Sequence, residues 1–258
     1  MTQDSASITA SDPSAQGVLI FGASGGVGQT LARHYAAAGV AVHLAGRDVS
    51  AIAAEVGGGS STVDINDSTS FTDAVKAAAD SLPALTGVAN CIGSVLLKPA
   101  HLITDDEFAE TLRINLFTAF FVVREAAKAM RKSGGSVVLC STAAAQVGLA
   151  NHEGIAAAKA GIDGLVRSAA ATYGSRNLRV NSVAPGLVKS EMTRRIWESE
   201  VSANASQEMH VLGRLGEPDD IARAIAFLLD PVNDWITGQT LGVDGGLGGV
   251  ISRPRTKA

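Results

Sequence analysis

Gly22-Ala23-Ser24-Gly25-Gly26-Val27-Gly28 is the stretch that decides the fold of this chain. It follows the apolar run Val18 to Phe21 and opens an amphipathic stretch, Val27 to Ala38, so it reads as a tight turn between a buried strand and a helix. Glycines let the backbone turn sharply there and let a phosphate approach with no Cβ in the way. The helix N-terminus directs unpaired N–H groups and positive dipole at the same point. A plain strand-to-helix turn can have this composition too; its place directly after the first strand is what makes an anionic cofactor the expectation.

The same rhythm runs outward along the chain. Val40 to Ala45 is followed by helical Val49 to Val56, Ser61 to Val63 by Ser68 to Asp80, and Gly87 to Asn90 by a long helical stretch from Thr104 to Arg131. Ser136 to Ser141 precedes Gly154 to Tyr173, Arg179 to Ala184 precedes a helix with Pro218 in its first turn, and Gln239 to Val243 closes the series. Strands alternating with helices predict a parallel sheet, and uninterrupted apolar runs such as Val137-Val138-Leu139-Cys140 suit strands covered on both faces. The expected fold class is α/β, a doubly wound seven-stranded parallel sheet of the Rossmann type. No repeat or Pro/Ser-rich linker interrupts Gly17 to Gly246, so residues 1–16 are expected as a flexible tail and residues 17–258 as one domain.

Composition narrows the function. Of 258 residues, 46% are hydrophobic and 18% charged, enough to bury a large core and to exclude wholesale disorder. Lys+Arg 21 against Asp+Glu 25 gives a net charge of -4, and with 4% aromatics a basic, stacking nucleic-acid groove is not expected. Cys91 and Cys140 are too few for a disulfide framework and have no zinc-ligand spacing. They read as small buried hydrophobes on interior strands, and no metal is expected. Met1 to Gln16 is polar with no basic n-region or apolar core, so it is not a secretory signal. No run is long and apolar enough for a membrane span, which makes the cytoplasm the default location.

Further along, ordered motifs point to one family. The spacing Gly-x-x-x-Gly-x-Gly, then Asp64-Ile65, Asn90-Cys91-Ile92-Gly93, Arg113-Ile114-Asn115-Leu116, Pro185-Gly186-Leu187-Val188-Lys189-Ser190-Glu191-Met192, Gly238-Gln239-Thr240-Leu241 and Asp244-Gly245-Gly246 together resemble the short-chain dehydrogenase/reductase family from about Gly17 to Gly246. The resemblance implies a dinucleotide-binding and catalytic domain. Gly22, Ser24, Gly25, Gly26, Val27 and Gly28 would hold phosphate, Asp64 and Ile65 the adenine, and Asn90, Gly93, Pro185, Gly186, Val188 and Ser190 the rest of the cofactor. After the second strand, Gly46 stands where relatives that prefer NAD carry Asp, and Arg47 follows, so NADP(H) is favoured over NAD(H). Asp48, twenty residues beyond Gly28, is the competing ribose ligand.

The family's Tyr-x-x-x-Lys is where the resemblance breaks. Lys159 is present, with its implied role of binding the nicotinamide ribose, but Ile155 holds the Tyr position. Thr142, thirteen residues earlier, stands at the family's Ser position, and Asn115 fits its own. An isoleucine cannot move a proton. His152, spaced i, i+3 and i+7 with Ile155 and Lys159, is the first candidate to replace the phenol, and Glu153 the second. A protonated imine substrate would need no protein acid at all. The first reading is therefore an oxidoreductase acting on a small carbonyl, imine or alcohol; the others are a silent nucleotide-binding sensor or partner subunit, and a non-redox lyase or isomerase. By resemblance, the helices Thr104 to Arg131 and from Gly154 pair in a homodimer or homotetramer, although their apolar residues equally suit packing on the sheet. Glu191 to Val211 falls where relatives have a substrate lid, and equally permits a fixed surface helix.

Overall fold

The computed structural model describes residues 13–251. Seven strands form one sheet: β1 (Gly17–Phe21), β2 (Ala41–Gly46), β3 (Gly59–Thr62), β4 (Gly87–Asn90), β5 (Gly135–Cys140), β6 (Leu178–Pro185) and β7 (Thr240–Val243). Their order is β3-β2-β1-β4-β5-β6-β7, and every neighbouring pair is parallel. Order reverses between β1 and β4, which leaves a crevice beyond the carboxyl ends of the strands, the usual ligand position in such sheets. This is the doubly wound α/β fold that the strand-helix rhythm implies.

Helices cover both faces. One layer holds α1 (Gly26–Ala37), α2 (Ser50–Val56) and α9 (Pro218–Leu229), packed on Val18, Ile20, Val42, Leu44, Val138 and Val183. The other holds α3 (Ser68–Ser81), α5 (Thr118–Ala129) and α6 (Glu153–Tyr173) over Leu19, Phe21, Val88, Val137, Leu139 and Val180, with α4 (Asp105–Leu112) packed against α6. Strand residues of opposite parity thus feed two separate cores, which is why the strands are apolar without alternation. Phe71 anchors the second layer, stacked on Phe21 and edge-on to Phe121, each at 5.4 Å between ring centres.

Several expectations change in detail. Strand β3 begins two residues earlier than Ser61 and is largely exposed, as an edge strand can be. The long helix from Thr104 to Arg131 is not one α-helix. A Thr104–Glu107 capping box starts α4, a π turn occupies Arg113–Phe117, and α5 follows. In the segment Glu191 to Val211 lie α7 (Arg194–Trp197) and α8 (Glu200–Met209). Of the N-terminal tail, residues 13–16 are described, with Pro13–Ala15 in one turn of 3-10 helix, and residues 1–12 lie outside the described residues. Cys91 and Cys140 are half-buried rather than sealed in the core. Among the described residues no helix is long and apolar enough to cross a membrane, and no cluster of His, Cys, Asp or Glu is arranged to hold a metal.

Candidate active site

The glycine loop closes by backbone contact. Gly22 has φ +73°, and its N–H donates to Ala45 O at 2.8 Å; a Cβ there would lie 2.6 Å from Cys91 C and Ile92 N. At Gly28 a Cβ would come within 2.5 Å of Gly22 O, so helix α1 can approach the turn only without one. Gly25, by contrast, would meet only Gly22 O at 3.4 Å, so its outer face is open. Gly25 is also the N-cap of α1, and no side chain caps that end. An uncapped helix N-terminus behind an open glycine face suits a dinucleotide phosphate. Ser24 is exposed at the rim, Val27 packs under the loop, and Ser190 lies beside Gly26.

At the adenosine end, Asp48 is turned toward α2, where its Oδ1 accepts from Ser50 N at 3.3 Å and Ser50 Oγ at 2.8 Å. Arg47 is exposed and makes no hydrogen bond or ion pair among the described residues. Gly46 sits close against α2, since a Cβ there would be 3.0 Å from Val49 Cγ1 and 3.6 Å from Ser24 Oγ. Asp64 is exposed beyond β3, its Oδ1 accepting from Asn66 N at 2.9 Å, and Ile65 is half-buried next to it.

Toward the other end, Asn90 is buried and its Oδ1 accepts from Ile92 N at 3.1 Å, which shapes the exit from β4 toward Gly93. Gly93 brings two candidate residues together, because a Cβ there would lie 3.3 Å from Asn115 Oδ1 and 3.4 Å from Lys159 Nζ. Asn115 stands on the π turn, fully buried; its Nδ2 donates to Thr111 O at 2.9 Å and Ser94 Oγ at 3.0 Å, and Oδ1 accepts from Ser94 N at 3.1 Å. The π turn is what sets this amide against the loop after β4. Lys159, on α6, is buried against the carboxyl end of β5, donating to Cys140 O at 2.7 Å, while Ser141 Oγ donates to Lys159 O at 3.3 Å. Burial pushes the Lys159 ammonium below its ordinary pKa, against the pull of neighbouring Cys140, Cys91 and Asp163.

Thr142, His152 and Ile155 meet in the wall of one cavity of about 150 Å³, which Val95, Leu97, Leu149, Ile196, Met209 and Leu247 also line. Ile155 is buried, 3% exposed, and offers no polar atom. Thr142 Oγ1 makes only long contacts, to Pro185 O at 3.5 Å and from Ala144 N at 3.4 Å, so a better acceptor would compete for its proton. His152 is the N-cap of α6, and its carbonyl accepts the first helical bond, from Ala156 N at 2.7 Å. Its Nδ1 lies 2.8 Å from Ala150 O, and because a carbonyl only accepts, Nδ1 carries the hydrogen and Nε2 holds a lone pair. Glu153 is exposed and does not line the cavity.

The sequence reading missed His210. It is 2% exposed, its Nδ1 donates to Ser206 O at 2.6 Å, and its Nε2 accepts from Leu187 N at 3.1 Å. It ties the end of α8 to Gly186, where a Cβ would meet His210 Nε2 at 2.5 Å. A lone histidine after an amphipathic helix has no signature in sequence; only the fold brings Leu187 to it. Pro185 ends β6, and Val188 is buried with a bridge to Gly216.

Comparison with known proteins agrees with this geometry. A family model described as enoyl-(acyl carrier protein) reductase matches residues 22–248. D-threitol dehydrogenase of Mycolicibacterium smegmatis is 33% identical over 241 residues, 88% of this chain and 91% of that protein. Among solved structures, a short-chain type dehydrogenase/reductase from Mycobacterium ulcerans is similar with a TM-score of 0.86 and 29% identity, covering 90% of both chains. Levodione reductase gives a TM-score of 0.86 at 27% identity, over 92% of this chain and 99% of its own. Matching motifs, sheet order and near full-length relatives lead to one conclusion: the chain belongs to the short-chain dehydrogenase/reductase family of oxidoreductases, which bind nicotinamide dinucleotides.

Proposed function

We propose that the protein is an NADPH-dependent oxidoreductase that reduces a compact, uncharged carbonyl or imine compound, with His152 moving the proton that a phenol moves in its relatives. The observation that carries this reading is the shared cavity of Thr142, His152 and Ile155, whose lining includes no Asp, Glu, Lys or Arg. Such a pocket favours a small apolar body with one polar end. The nicotinamide dinucleotide, when bound, supplies the hydride. Gly22 and Gly28 close the turn, the open face of Gly25 admits its phosphates, and Arg47, unpaired among the described residues, supports a 2′-phosphate, while Asp48 is occupied at the start of α2. Asn115 holds the loop after β4 through Ser94, and Lys159 presents its ammonium through the gap at Gly93, where ribose hydroxyls are its natural acceptors.

Thr142 then donates its hydroxyl hydrogen to the substrate oxygen and polarises the carbonyl. His152 keeps its Nδ1–H on Ala150 O, so Nε2 is the atom that exchanges a proton: its lone pair takes the proton from an alcohol during oxidation, and the imidazolium so formed returns it to the oxygen during reduction. An iminium substrate would bypass His152, since it becomes a neutral amine without a proton. The competing reading is a nucleotide-holding protein with no turnover, in which the glycine loop and Lys159 keep the nucleotide and Ile155 removes the chemistry. Titration of the protein with NADPH and NADH, followed by fluorescence and then by nucleotide consumption with small ketones and cyclic imines, separates them: tight NADPH binding with consumption supports the enzyme, and binding with no consumption by any member supports the silent form. Phe117 and Phe120 stand outward, 47% and 49% exposed, and support association through the α4–α5 face into a homodimer or homotetramer, which light scattering reads directly.

A further inference from the structure

Cys91 and Cys140 lie 49 residues apart in sequence yet meet in the sheet. Strands β4 and β5 run parallel with Asn90 opposite Leu139, so the next residues, Cys91 and Cys140, face one another across the same two chains. Both belong to the face that carries Ala89 and Val138, which puts their side chains on one side of the sheet. Neighbouring strands are separated by roughly 4.8 Å, inside the Cα spacing of about 4.4–6.8 Å that a disulfide spans, so the strand spacing is compatible with a bond. Both are free. The neighbouring Cys91 thiol and the Lys159 ammonium hold Cys140 below the ordinary thiol range, against the effect of burial, while the Cys140 thiol and burial push Cys91 up. The pair borders the glycine turn, where Gly22 packs on the Cys91 backbone, and the catalytic lysine, whose Nζ donates to Cys140 O at 2.7 Å.

We propose that Cys91 and Cys140 are an oxidisable dithiol in the floor of the nucleotide cleft, which closes to a disulfide when a peroxide reaches the empty cleft. The Cys140 thiolate attacks a peroxide oxygen, the O–O bond breaks, and the leaving oxygen takes a proton to give water, leaving Cys140 as a sulfenic acid. The Cys91 sulfur then attacks that sulfur, the S–O bond breaks, and a second water leaves. Two thiols lose two electrons and hydrogen peroxide gains them. Both residues keep part of their surface exposed, the route by which a small neutral oxidant would enter and which a bound nucleotide would cover. The shielding rests on reading this cleft as the nucleotide site; the disulfide does not.

The test is intact mass spectrometry of the native full-length protein treated with hydrogen peroxide, with and without NADPH, its binding being followed in parallel by fluorescence. The chain has two cysteines, so an intramolecular disulfide has one possible pairing. The expected result is a loss of about 2 Da, reversed by dithiothreitol and absent in Cys91→Ser and in Cys140→Ser. NADPH at ten times its Kd leaves about one molecule in ten free, so closure slows by about tenfold. Gains of oxygen without the loss, covalent dimers, or no reaction in the folded protein overturn the proposal. Closure at an unchanged rate under bound NADPH overturns its place in the cleft. If fluorescence shows that no nucleotide binds, it is the nucleotide reading that fails, while the loss of mass in the free protein still decides the dithiol.

Discussion

The two ends of the cleft are built on different terms. Between β1 and α1, recognition is made of backbone: Gly22 against Cys91 and Ile92, Gly28 against Gly22, and an uncapped helix end behind Gly25. Between β5 and α6, it is made of single side chains: Thr142, His152, Ile155 and Lys159. A backbone cradle depends on several positions agreeing at once, so it is hard to alter without losing it. A proton route depends on one group near one atom, and it can move to a neighbour while the fold stays as it is. On the proposed reading, Ile155 beside Thr142, His152 and Lys159 is what that difference permits.

The largest effect is expected in the backbone half. Gly22→Ala forces a Cβ into a left-handed residue with main chain 2.6 Å away, so it should destabilise the protein by about 2–3 kcal/mol and remove measurable nucleotide binding, read by thermal melting and fluorescence titration. A wild-type affinity in this variant would break the claim that the cradle is intolerant. Next, Arg47→Ala removes one exposed charge-assisted contact and should weaken NADPH about tenfold while leaving NADH within about twofold. Equal losses for both nucleotides would show that Arg47 does not read the 2′-phosphate.

The smallest effect concerns neither end. His43, buried on β2, contacts Ser81 Oγ at 3.0 Å and Ser61 Oγ at 2.8 Å, and burial pushes its pKa down. The folded state therefore binds this proton less readily than the unfolded chain, and stability is full above the ordinary imidazole value of about 6.5 and falls as the pH drops below it. Urea melts at decreasing pH should show that fall, with a shallower slope in His43→Gln. An identical slope in that variant would assign the acid sensitivity elsewhere.

How much of this was legible in the chain follows the same division. The glycine turn and the seven strands were readable because apolar period and motif spacing are local properties, and the same spacing named Asn115, Thr142 and Lys159 as candidates. The π turn at Asn115 was not, because Asn115 Nδ2 bonded to Thr111 O and Ser94 Oγ is partly a tertiary arrangement, and residues 104–131 read as one helix. His210 and the facing thiols were invisible for a related reason. Leu187 reaches His210, and Cys91 reaches Cys140, only after β4, β5 and β6 have taken their register. His152 was readable as a candidate, yet its fixed Nδ1 and free Nε2 came from the turn at Ala150 and Asn151, where Asn151 takes φ +64°.

The most direct test of the relocated proton route is the His152→Ala variant, assayed with a neutral ketone that the wild type reduces and with NADPH binding measured alongside. The expected result is a loss of about a hundredfold in kcat/KM with the NADPH Kd unchanged within about twofold, the effect of removing a general acid that holds no cofactor. Turnover equal to wild type on that ketone would contradict the account and leave the proton to the substrate or to solvent.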